Sequence, residues 1–356
     1  MKNSTRHIRS GLRSGAALCA LLTLAACGGG GGDTSTGTGG GTTTVTPAGV
    51  GTNLDENNTR EVGSSATKST LNLGAGNDVG ISATGVQVDQ VPIHGLSPEL
   101  LNTIVARADE RLAALPNLPV GATYAATTTC ANGGKAGLAF DDPNNNRTVD
   151  KGDTVVVAFS NCREGAQTLD GTLAIHITAL TGKPGSGNAK GRYRLTFDQV
   201  FVKIDGFGAI AESGALDLDF TEAGAGRGSA TGFSQRFHIL EVDGNGATLR
   251  DNILTNASRS ETWDSSGRRT TTTMTLEGTW KHYSGSLAVT TLQPVFVPRG
   301  SYVPTAGAIR LAAPNSNATV TFLTGGVKTE LDGNNDGAID KSYTQTWSEF
   351  LADQAQ

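Results

Sequence analysis

The sequence predicts a mainly β protein: an antiparallel meander forming a curved sheet, a barrel or a sandwich, with one amphipathic helix packed against it. Three observations lead there. After residue 120, apolar and polar residues alternate with a period of two almost to the end of the chain. The alternating runs are parted by clusters of Gly, Asp, Asn and Ser that suit hairpin turns. One segment ahead of them repeats its apolar residues at helical spacing.

Residues 1–26 read as an export signal. Lys2, Arg6, Arg9 and Arg13 give a basic start, and an apolar core from Gly15 to Ala26 follows that is too short to remain as a membrane span. Leu24, Ala25 and Ala26 then meet Cys27, with five glycines behind it. This order resembles the lipobox of bacterial lipoproteins. The resemblance implies that Cys27 takes fatty acyl chains such as palmitate and becomes the first residue of the mature chain. Each buried methylene contributes about 0.8 kcal/mol, so a multiply acylated cysteine holds a protein durably on a membrane. Gly28, where Asp favours retention at the inner membrane of Gram-negative cells, directs the expectation to the outer membrane, on its periplasmic face or at the cell surface.

Residues 27–60, rich in Gly, Thr and Ser, are expected to be a disordered tether, because they hold too little apolar surface to offset their ordering entropy. Residues 61–119 form an N-terminal segment. Its polar, glycine-rich character continues to about Gly85, and Leu71, Asn72 and Leu73 could form an edge strand or stay loose. The helix predicted over 98–115 lies in the same segment. Ser97 can cap it, Pro98 suits its first position and Pro116 stops it. Leu100, Leu101, Ile104, Val105, Ala108 and Leu112 share one side, with Asn102, Arg107, Asp109 and Glu110 placed elsewhere.

Residues 120–351 are the β-rich domain. In "TLDGTLAIHITAL" Leu169, Leu173, Ile175, Ile177 and Ala179 point one way. In "GRYRLTFDQVFVKI" the alternation of Tyr193, Leu195 and Phe197 changes phase to Val200, Val202 and Ile204, which predicts a bulge near Gln199. "GALDLDF", "GFSQRFHIL", "TTTTMTLEGTW", "GSLAVTTL", "NATVTFLT" and "GVKTEL" are further strands, with "DGNG" and "DSSG" as turns.

Charge narrows the function classes. The chain carries −5, and without its first 26 residues −9, since four of the 28 basic residues and none of the 33 acidic ones lie there. Lacking a basic cluster, it is not suited to nucleic acid. Of four cysteines, Cys19 belongs to the signal and Cys27 to the anchor. Cys130 and Cys162 remain as a pair, and outside the cytoplasm a disulfide between them is expected. It would contribute roughly 3–4 kcal/mol in the chain-entropy view.

Two acidic loops carry the cation chemistry. Residues 332–340 set Asp332, Asn334, Asp336 and Asp340 at positions one, three, five and nine, with Gly337 at six and the carbonyl of Ala338 at seven. This resembles the opening of EF-hand-like calcium loops. Tyr343 stands at position twelve, where a bidentate Glu is usual, so affinity of roughly 10⁻⁴–10⁻³ M is expected. The bland alternative is a tight hairpin made of turn formers. A second loop offers Asp142, Asn144, Asn146, Asp150 and Asp153 in the same register, with Arg147 at the glycine position. It lies between Cys130 and Cys162, so disulfide and calcium could staple one loop together. Both acidic segments are similar to parts of uncharacterised proteobacterial envelope lipoproteins, a likeness that implies no activity.

Catalytic motifs are not found. Outside the signal, the histidines His94, His176, His238 and His282 are scattered, with His282 expected in the core or at a cavity rim. No GxSxG run nominates a serine, and "GKPGSGNAKG" lacks the ending of a phosphate loop. Asp217 and Asp219 sit roughly 7 Å apart on one strand face, a poor arrangement for flanking a glycosidic bond. The expectation is a non-enzymatic, membrane-anchored envelope protein with a binding or structural role toward a protein or small-molecule ligand. The alternatives are a carrier or chaperone of an apolar ligand in a β cavity and, third, an envelope polysaccharide hydrolase.

Overall fold

The computed structural model describes residues 52–72, 98–114, 124–164, 167–204, 208–224, 226–301 and 303–352. The signal, Cys27, the caps Ser97 and Pro116 and His94 lie outside them. Helix α1 (Thr59–Asn72) and helix α2 (Pro98–Ala113) come first. The strands are β1 (Tyr124–Thr129), β2 (Lys135–Asp141), β3 (Thr154–Glu164), β4 (Gln167–Thr181), β5 (Lys190–Ile204), β6 (Gly208–Glu222) and β7 (Gly228–Val242). They continue as β8 (Thr248–Asp264), β9 (Gly267–Thr279), β10 (Ser284–Pro298), β11 (Ala306–Ala312), β12 (Asn317–Leu323), β13 (Gly326–Asp332) and β14 (Lys341–Thr346), and a short helix α3 (Trp347–Ala352) follows.

These strands form one antiparallel sheet in which every strand pairs with its sequence neighbour, so the predicted meander is the fold. Among the described residues β1 and β14 do not pair, so the sheet stays open rather than closing as a barrel. One face is covered. Leu173, Ile175, Ile177, Tyr193, Leu195, Phe197, Val200 and Val202 are all buried on it.

The phase change in β5 is a bulge, as the sequence predicts. The register slips between Phe197 and Val200, and Gln199 takes φ 47°. Gly171 of the neighbouring β4 faces it, and a Cβ there would collide with the Gln199 carbonyl, so the bulge requires glycine at 171. A second glycine serves contact instead. Gly228 is the cross-strand partner of Trp263, whose indole covers the place where a Cβ would stand. In β4 the alternation breaks at the slip between Ile177 and Ala179, which leaves Ala179 exposed rather than buried with its predicted neighbours.

Helix α2 ends within two residues of its predicted end and buries Leu101, Ile104, Val105, Ala108 and Leu112. Asn102, expected on the outer side, is 2 % exposed; it donates to Glu222 at 2.9 Å and accepts from the Tyr193 hydroxyl at 3.1 Å.

Helix α1 is not anticipated by the sequence reading. The edge strand considered for Leu71, Asn72 and Leu73 is replaced, for the first two, by the last turn of this helix. Residues assigned to the end of the tether are part of the fold, since Leu54, Asn58 and Thr59 are buried. Asp55 and Asn58 start the helix by exchanging side-chain to backbone hydrogen bonds of 3.0 and 3.1 Å, a reciprocal cap.

From residue 61 to 70 all side-chain positions of α1 are buried except Lys68, which is intermediate. Ser65 accepts from Asn252 of β8 and Trp280 beyond β9, at 2.9 and 2.8 Å. Gly63, about 200° away around the helix axis, faces Val320 of β12 and Leu311 of β11. Strands of the same sheet therefore touch α1 on nearly opposite sides, and the sheet curls around it.

Candidate functional site

The disulfide is present: Cys130 and Cys162 are bonded, with Cα atoms 5.4 Å apart, and both are buried. It ties the β1–β2 turn to the far end of β3. The loop over residues 142–153 joins the other ends of β2 and β3, so disulfide and acidic loop hold opposite ends of one hairpin and do not staple a single loop.

The two acidic loops fold alike. At position one, Asp142 and Asp332 each accept from the N–H of position six, Arg147 at 2.9 Å and Gly337 at 3.0 Å. At position three, Asn144 and Asn334 each accept from the N–H of position five at 3.0 Å. At position five, Asn146 and Asp336 each accept from position seven, Thr148 and Ala338, at 2.8 Å. Positions four and six have positive φ in both: Asn145 53° and Arg147 61°, Asn335 60° and Gly337 89°. Arg147 thus adopts the turn that the sequence reading reserved for glycine.

Their differences lie in what remains unused. Asp332 is buried, but both of its oxygens are bonded, one by the Asp336 N–H and the other by Gly337 and by Asn317 at 3.0 Å. Burial works to raise its carboxyl, but the hydrogen bonds from the backbone and from the Asn317 side chain together hold it below the usual range. Asp336 and Asp340 are exposed, and Asp340 accepts from the Gly333 N–H at 2.7 Å. Tyr343, at position twelve, donates its hydroxyl to the Glu56 carbonyl at 3.2 Å.

In the other loop Asp142 and Asp153 are 5 % and 2 % exposed, and one oxygen of each has no hydrogen-bond partner. The second Asp153 oxygen accepts from the Asp150 N–H at 2.8 Å. Burial, then the charges of Asp150, Asp142 and Asp141, push the Asp153 carboxyl up to about 6 against the pull of that hydrogen bond. Asn144 and Asn146 turn their amide N–H groups to Asp150. Among the described residues no three His, Cys, Asp or Glu side chains are gathered as a metal site, so cation binding here has to draw on asparagine and backbone oxygens.

The other sequence candidates are engaged elsewhere. Asp217 and Asp219 point away from the covered face and pair with Arg194 and Arg192 across β5 at 3.4 and 2.6 Å. In the "GKPGSGNAKG" loop the N–H groups of Gly185, Gly187 and Ala189 converge on the Glu222 carboxylate at 2.7, 2.7 and 3.3 Å. A cradle of the kind that holds phosphate is filled by the protein's own side chain. His176 meets Thr154 at 3.1 Å, and His238 meets Asp251 at 2.6 Å, both away from the covered face. His282 sits in the β9–β10 connection, not the core, and meets Glu61 of α1 at 3.2 Å.

The covered face also carries charges that apolar alternation along the strands does not disclose. Lys68 of α1 pairs with Glu241 at 3.6 Å, and Glu241 in turn pairs with the buried Arg250. Burial first, and Arg250 second, bring Lys68 down to about 6, and burial pushes Glu212 up to about 7. Further along β8, Glu261 is flanked by Arg259 and by Arg268, the latter at 2.8 Å. No helix among the described residues is long and apolar enough to cross a membrane. Comparison with protein-family models, curated proteins and solved structures finds no match to this chain.

Proposed function

We propose that this is a lipid-anchored protein of the bacterial outer membrane, attached through Cys27, with a calcium-stabilised β domain that has a binding or structural role in the cell envelope. The lipobox-like Leu24-Ala25-Ala26-Cys27 supports the address, and the buried disulfide suits a compartment outside the cytoplasm. The observation that carries the non-catalytic reading is the filling of the sheet's covered face by α1 and α2. The carboxylates considered for hydrolysis are paired with arginines, and a lipid carrier would need the space that α1 occupies. Such a domain acts through its outer surface.

Mass spectrometry of the protein from its native membrane tests the anchor. The expected species begins at an acylated Cys27, and Cys27→Ser releases the chain to the soluble fraction. An unmodified sulfur with the leading peptide intact overturns the reading.

A further inference from the structure

The two acidic loops are equals in sequence register but not in what their carboxylates lack. In residues 142–153 two carboxylates, at positions one and twelve, are buried and each keeps an oxygen unbonded. A buried carboxylate oxygen without a partner is costly, and a hard cation with oxygen ligands relieves two such atoms at once. In residues 332–340 the equivalent buried Asp332 is already satisfied by backbone and Asn317, and position twelve has no carboxylate.

Resting on the calcium reading above, we infer that the calcium site is the loop 142–153, with Asp142 and Asp153 as its charged ligands, and that binding there latches α2 to the sheet. Asn144, Asn146 and backbone carbonyls complete the oxygen set. The hydrogen bonds that the Asn144 and Asn146 amide N–H groups donate to Asp150 are the ones a cation exchanges. The latch is the residue between: Val149 is buried, and its N–H donates to Asp109 of α2 at 2.9 Å. Fixing the loop fixes that donor. By linkage, weakening the Asp109 contact weakens calcium binding by the same factor that calcium strengthens docking.

Calcium titration of the detergent-extracted full-length protein, followed by calorimetry and thermal melting, decides it. At about 100 times the dissociation constant calcium is expected to raise the melting temperature by roughly 5 °C. Asp142→Asn and Asp153→Asn abolish that shift, Asp336→Asn keeps it, and Asp109→Ala, which removes the acceptor of the Val149 N–H, lowers affinity several-fold. Amide exchange over residues 101–113 slows with calcium in the wild type. A wild type indifferent to calcium removes both this site and the calcium reading. A shift lost in Asp336→Asn but kept in Asp153→Asn overturns this site and leaves the calcium reading standing. Calcium binding with unchanged exchange in α2 overturns the latch.

Discussion

Helices α1 and α2 lie against the same face of one sheet and are made of opposite materials. α2 presents Leu101, Ile104, Val105, Ala108 and Leu112 to the strands and leaves Arg107 and Glu110 in solvent, paired at 2.8 Å. α1 has almost no solvent side. Apart from Glu61, its buried positions are filled by residues no larger than valine, among them Val62, Ser64, Ser65, Ala66, Thr67, Ser69 and Thr70, around which the sheet can close tightly. A helix that covers a sheet is held by apolar area. A helix that a sheet encloses is held by fit and by hydrogen bonds, because each of its groups has lost water.

The contrast predicts opposite sensitivities. In α2 truncation is the damaging change: Ile104→Ala should cost about 3–4 kcal/mol in urea unfolding, from lost burial and the cavity left behind. In α1 enlargement is the damaging change: at Gly63 even a Cβ would stand only 3.3 Å from Val320, so Gly63→Leu should cost about 3 kcal/mol by the same measurement. A tolerant Gly63→Leu breaks the comparison.

Next in size is the polar anchor of α1. Asn252 donates to both Ser65 and Ser69, and Asn252→Ala should cost about 2 kcal/mol. Combining it with Ser69→Ala should cost less than the sum of the two, which a double-mutant cycle reads directly. The charged stretch of the covered face adds a pH signature. Glu212 has its folded pKa raised to about 7 from 4.5, so the folded state favours the protonated form. Its contribution is full below pH 4.5 and is lost as pH rises through 7. Wild type and Glu212→Gln should therefore melt alike at pH 4, with the wild type falling behind by about 1–2 kcal/mol at pH 8. The smallest effect belongs to the open side of α2, where Arg107→Ala should change stability by less than about 0.5 kcal/mol.

The same contrast explains what the sequence discloses. Periodicity reports a boundary between apolar and wet, so α2, the alternating strands and the Gln199 bulge are legible. α1 has no such boundary, and "TREVGSSATKSTLN" reads as linker; only the Asp55 and Asn58 cap marks its start. β8 escapes for a related reason. Arg250, Asn252, Arg259 and Glu261 face the covered side, so its inward pattern is polar. The alternation in "DKSYTQTW" is legible as a strand and is β14, but Trp347 opens α3 rather than prolonging it. In the acidic loops the spacing of ligand types is legible, and their burial is not. Gly337 makes residues 332–340 the more familiar motif, while the unbonded oxygens belong to Asp142 and Asp153.

The enclosure of α1 also shapes how the chain assembles. Each strand finds its partner next door in sequence, but Ser65 and Ser69 reach Asn252 and Trp280 across 183 to 215 residues, and the Leu54 amide reaches Ser316 across 262. Hairpins can zip locally and early, whereas α1, made before any of these strands, must wait for strands near the other terminus before it is gripped. Maturation of this protein is therefore paced by the arrival of its last third.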